Sequence, residues 1–114
     1  MTKTELIKRV LIKLKVIQSD DTVSTEDSDL IGAVYDEVYQ ELKIQELVTW
    51  TSTGDIPTSH AQSMIKIVAS RSADDFEHEE LNVQRLLIEE SQAMDKIVIL
   101  NRVPYVSTSE PECY

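Results

Sequence analysis

At 114 residues and a formal net charge of −10, the chain is long enough for one domain with a core of modest depth, and too acidic as a whole to clamp a phosphate backbone. Hydrophobic residues make up 41% and aromatics 5%, with two glycines and three prolines, a balance that suits aliphatic helix packing better than a turn-rich β fold. No stretch approaches the roughly 20 apolar residues that span a bilayer, the opening MTKTELIKRV lacks a signal peptide's apolar run, and the lone Cys113 has no companion for a disulfide or a metal site, so a cytosolic start without membrane or cofactor is expected.

Apolar spacing predicts a first helix from about Thr2 to Ile17. Thr2 and Glu5 form a capping box, and Leu6, Ile7, Val10, Leu11, Leu14 and Ile17 share one face. The polar run Gln18–Thr22 ends it. Ser24 or Thr25 then caps a second helix whose first turn carries Glu26, Asp27 and Asp29, favourable charge at a helix start. This helix holds Leu30, Ile31, Val34, Val38 and Leu42, with Tyr35 and Tyr39 beside them, and reaches about Glu46. Residues 48–59 (VTWTSTGDIPTS) are the longest loop signal, with Gly54-Asp55 as a turn and Pro57 suited to a helix's first turn. Trp50, on that loop, is either a cover over the core or an anchor at a subunit contact.

A third helix is expected from near Pro57, with Ala61, Met64, Ile65, Val68 and Ala69 as its stripe, ending by Ser72 before a bend at residues 73–76. A fourth, from about Glu77 to Ile99, offers Leu81, Leu87, Ile88, Met94, Ile97 and Val98; its last five residues, Lys96–Leu100, are apolar enough for a strand ending, though helix is the stronger reading. From Asn101 to Tyr114 the sequence NRVPYVSTSEPECY is expected to be extended. Pro104 and Pro111 oppose helix and central strand, and Val103, Tyr105 and Val106 put sizeable side chains on a segment with no core of its own. Such a segment suits docking on a partner, by adding to a sheet edge for example. The expected fold is therefore all-α: one four-helix, bundle-like domain over residues 1–100 and an extended docking tail over 101–114.

Charge is segregated along the chain. Residues 1–18 hold Lys3, Lys8, Arg9, Lys13 and Lys15 against Glu5, a net +4, which leaves −14 for the other 96. A basic helix on an acidic body is either a solvated face or a positive surface that meets the body of a neighbouring copy; head-to-tail contacts favour such asymmetry. Lys8, Arg9 and Lys13 are the candidates for that contact, with Trp50.

Catalytic chemistry has no foothold in the pattern. Glu77, Glu79, Glu80, Glu89 and Glu90 alternate with polar residues as on a solvated helix face, rather than marking the cleft pair of a glycoside hydrolase. His60 and His78 have no ligand partner at zinc-site spacing and read as titrating surface residues. The glycines, Gly32 and Gly54, are isolated, which leaves no phosphate loop, and the serines lack a nucleophile elbow.

The order of elements resembles the head-to-tail adaptors of tailed bacteriophages, in particular the tail accessory factor of short-tailed phages. The likeness is carried by the first helix, Thr2-Lys3-Thr4-Glu5-Leu6-Ile7-Lys8-Arg9-Val10-Leu11-Ile12-Lys13-Leu14, by the acidic second helix leading to an aromatic-bearing loop, and by Asn101-Arg102-Val103-Pro104-Tyr105 at the end of the last helix. Such a resemblance implies a non-enzymatic structural protein of the virion neck, assembled in the host cytoplasm. It implies a ring, usually of twelve copies, beneath the portal protein, passing DNA as cargo and presenting a lower face to the next tail or nozzle protein. Val103, Pro104, Tyr105 and Val106 would dock on the portal or on a neighbouring copy. Two departures stand out: Lys15 occupies a position where such adaptors often have glycine, and the tail is short for the short-tailed group. The competing expectations are a small acidic cytosolic inhibitor that mimics DNA on a host protein and, third, a wall-degrading hydrolase carried in the virion.

Overall fold

Thr2 opens the first helix as its capping box requires. In this computed structural model, which describes residues 1–76 and 83–109 and side chains within them up to residue 100 other than Asp74, the Thr2 hydroxyl accepts from the Glu5 N–H at 3.2 Å and the Thr2 N–H donates to Glu5 Oε1 at 3.0 Å. Helix α1 spans Lys3–Lys13 and buries Leu6, Ile7, Val10 and Leu11. Helix α2, Thr25–Ile44, starts on Ser24, whose Oγ accepts from the Asp27 N–H, and buries Ile31, Tyr35, Val38, Tyr39 and Leu42. Helix α3, Thr58–Ser72, is the most buried and ends in a 3-10 turn, Ala73–Asp75. Helix α4, Val83–Ser109, completes the order.

Helices α1, α2 and α3 pack pairwise around a shared core, and α4 lies along α3. The loop between α2 and α3 closes one side by burying Leu47, Trp50 and Ile56, and the Ile56 N–H donates to the Met1 carbonyl at 2.7 Å. The all-α expectation holds, with no strand among the described residues; Lys96–Leu100 is helical.

Helix α1 stops at Lys13, short of the expected Ile17, because the chain reverses in a Schellman motif. The Lys15 N–H donates to the Ile12 carbonyl and the Val16 N–H to the Leu11 carbonyl, both at 3.0 Å, with Lys15 left-handed at φ 62°. Helix α2 ends the same way: Glu46, φ 58°, donates to the Lys43 carbonyl and Leu47 to the Leu42 carbonyl. Each motif puts an apolar residue, Val16 or Leu47, against the core, which rewards a conformation that costs an L-residue about 1–2 kcal/mol. Replacing Glu46 by glycine is expected to raise stability by about 0.5–1 kcal/mol, glycine's larger unfolded freedom offsetting part of the relief. A lower thermal midpoint for Glu46→Gly would sink that expectation.

Two further boundaries differ from the sequence reading. Pro57 is the N-cap of α3, with ψ 143°, rather than a residue of its first turn; the extended ψ keeps its carbonyl free to accept from both His60 and Ala61. Helix α4 ends at Ser109 rather than near Ile99, with residues 101–109 described by their backbone alone. Residues 77–82 and 110–114, which include Leu81, His78 and Pro111, lie outside the described residues.

Candidate interaction surfaces

Alternation of core and solvent faces along α1 gathers its cations. With Leu6, Val10, Leu11 and Leu14 turned inward, Glu5, Lys8, Arg9, Ile12 and Lys13 line a groove of about 550 Å³ with Ser19 and, from α3, Gln62 and Ile65. The three basic candidates, Lys8, Arg9 and Lys13, thus share one surface with an aliphatic floor of Ile12 and Ile65. Lys13 reaches across to α4 and pairs with Glu89 at 2.6 Å. That contact, chiefly, with help from Arg85 at 3.1 Å, holds the Glu89 carboxyl below the ordinary carboxylate range. Glu5 is also lowered, first by the Thr2 N–H. Lys8 and Arg9 are in no ion pair among the described residues.

The opposite charge lies on α2. Asp36, Glu37, Gln40 and Glu41 form a row that borders a shallow depression ending at Ile44, which is 81% exposed. Asp36 pairs with Lys3 at 2.9 Å, and Glu41 with Arg71, whose guanidinium also holds Glu90 of α4 at 3.0 Å. Ile44 was missed by the sequence reading, although its phase gave it away: it falls two residues beyond Leu42, on the far side of a helix whose core positions are 31, 35, 38 and 42.

A second apolar surface runs along α4. Leu86, Ala93 and Ile97 are the buried residues, while Val83, Leu87, Ile88 and Ile99 are about half exposed or more. The sequence reading named Leu87 and Ile88 among the helix's apolar residues without a phase; a 27-residue helix rich in aliphatics on several sides does not reveal one.

Trp50 fills the role of a cover over the core, not that of a surface anchor. It is 9% exposed, its Nε1–H donates to the Tyr35 hydroxyl at 3.0 Å, and its carbonyl accepts from the Tyr39 hydroxyl at 2.6 Å. Burial raises the Tyr35 phenol above its ordinary value, opposed in part by the Trp50 bond. His60 stacks near the indole at a centroid distance of 5.2 Å and is 7% exposed, so the expectation of a surface histidine is overturned. It belongs to the same inward stripe as Ala61, Met64 and Ile65, which a hydropathy count conceals because imidazole scores as polar.

Of the proposed docking residues, Val103, Pro104, Tyr105 and Val106 have helical backbone, and their side chains lie outside the described residues. Glu89, held by Lys13, is lowered, the reverse of the raised carboxyl a general acid requires, and Glu90 is paired with Arg71. No group of three metal-ligating side chains occurs among the described residues, and no helix among them is long and apolar enough to cross a membrane. No protein-family description matches the chain, nor does any curated protein or solved structure resemble it significantly.

Proposed function

We propose that this protein is a head-to-tail adaptor of a tailed bacteriophage, a non-enzymatic component of the virion neck that assembles as a ring beneath the portal protein, extends the DNA channel and receives the next tail component. The observation that carries the reading is the separation of charge on one small helical body: four cations and one carboxylate on α1, six carboxylates and one lysine on α2. Subunits that join head to tail need two unlike patches, and a net charge of −10 keeps a duplex mobile in the lumen rather than gripped. The first-helix sequence and Asn101–Tyr105 support the same assignment by resemblance. The segment 101–114, with Val103, Pro104, Tyr105 and Val106, is the proposed portal contact.

Light scattering on a sizing column tests the reading, with the protein alone and mixed with the portal from the same genome. Intact chains are expected to shift to a defined multiple on the portal, and chains lacking residues 101–114 to keep the fold but lose attachment. A truncated chain that unfolds, or attaches normally, removes the docking role from that segment. An intact chain that ignores the portal and binds a DNA-binding host protein in a salt-sensitive way favours the acidic-mimic alternative, to which the α2 carboxylate row lends itself.

A further inference from the structure

We infer that the α1–α3 groove of one copy receives the Ile44 end of α2 from the next copy, so that the two unlike surfaces of this chain are the two halves of one heterologous contact. The inference rests on the ring-forming reading above and names the surfaces that would build the ring.

A single exposed isoleucine is ordinary on a protein surface. Ile44 differs in its setting: at 81% exposed it is the most exposed large hydrophobic among the described residues, and it stands at the end of a carboxylate row. The groove offers the converse arrangement, an aliphatic floor of Ile12 and Ile65 rimmed by Lys8, Arg9 and Lys13. At about 550 Å³ it is within the size range of sites that enclose a ligand group. On each surface there are charges in no close ion pair among the described residues, Lys8 and Arg9 on one, with only the field of Arg9 on nearby Glu5, and Glu37 on the other, whereas Lys3, Lys13, Asp36, Glu41 and Arg71 are already engaged within the chain. The two surfaces share no residue. Pairing them is therefore not self-complementary: each copy joined leaves one groove and one Ile44 end open, which extends the assembly until rotation closes it. Seating Ile44 removes apolar surface from water, and the charges fix its register and speed encounter.

Cysteine trapping tests the contact without requiring a long-lived complex. In a Cys113→Ser background, chains carrying Ile12→Cys are mixed with chains carrying Ile44→Cys and oxidised. The mixed disulfide is expected to exceed both like-with-like disulfides severalfold, to fall toward the random proportion in high salt or with Arg9→Glu, and to recover when Glu37→Lys is placed on the Ile44→Cys chain. Ile44 is exposed and Ile12 half-buried in the groove, and helical circular dichroism confirms folding of each variant. Random proportions in low salt overturn the contact. Portal binding is scored separately: trapping in this register by a chain that ignores the portal keeps the contact and removes the adaptor reading, while portal binding with random trapping does the reverse.

Discussion

Trp50→Ala is expected to lower the stability of the fold by about 3–5 kcal/mol, the usual range for removing a buried tryptophan. The indole touches two tyrosines and a histidine: its ring lies 6.2 Å from Tyr39 and 5.2 Å from His60 between centroids, and its N–H is the donor to the buried Tyr35 hydroxyl. Truncation opens a cavity between α2, α3 and the loop, and takes the indole donor from the hydroxyl of Tyr35, a residue that is 0% exposed. The desolvation cost of such an orphan, about 1–3 kcal/mol, sits within the total. Since domains of this kind are stable by about 5–15 kcal/mol, the variant would have a much lower denaturant midpoint. Tyr35→Phe supplies the second half of the argument, because it keeps the ring and leaves the indole N–H unpaired; a loss of about 1–3 kcal/mol is expected. Urea titrations followed by circular dichroism measure both. A loss under about 1 kcal/mol for Trp50→Ala would mean that the loop, not the core, holds the residue.

Ile97→Ala should cost about 2–5 kcal/mol, and the damage should be local. Helix α4 reaches the core through Leu86, Ala93 and Ile97, and Ile97 is 0% exposed. Its polar ties are Glu90, which accepts from Ser70 at 2.7 Å and Arg71 at 3.0 Å, and the Lys13–Glu89 pair. These lie near the surface, where ion pairs contribute about 0–1 kcal/mol. Helices α1, α2 and α3 pack on one another in pairs, whereas α4 packs chiefly on α3. Native-state hydrogen exchange is the suitable measurement, with amides of α4 losing protection while those of α1 and α2 change little. Uniform loss of protection across all four helices would show instead that α4 is an inseparable part of one cooperative unit.

The sequence was most legible where one physical signal acted alone. Capping chemistry placed the starts of α1 and α2 at Thr2 and Ser24, and the stripes of α1, α2 and α3 named the buried residues well. Signals in competition were less legible. At Lys15 the left-handed turn is carried by a residue that normally avoids it, so the residue type did not mark the helix end. In α4, aliphatic residues on several faces hid the phase, so the exposed Leu87 and Ile88 stood beside Ile97 among the expected apolar residues, and the buried Leu86 and Ala93 did not. The basic candidates Lys8, Arg9 and Lys13 were identified from charge, but their groove was not, because Gln62 and Ile65 come from α3 and only packing brings them there.

Trp50 is the chain's one tryptophan, and its immediate surroundings are Tyr35, Tyr39 and His60. None of these four residues lines the α1–α3 groove, the α2 carboxylate row or the exposed side of α4. Intrinsic fluorescence is consequently a clean optical reporter of whether the three-helix body is folded, and a nearly silent one for copies joining at either surface. An emission spectrum that stays constant while the scattered mass climbs separates assembly from unfolding in a single cuvette.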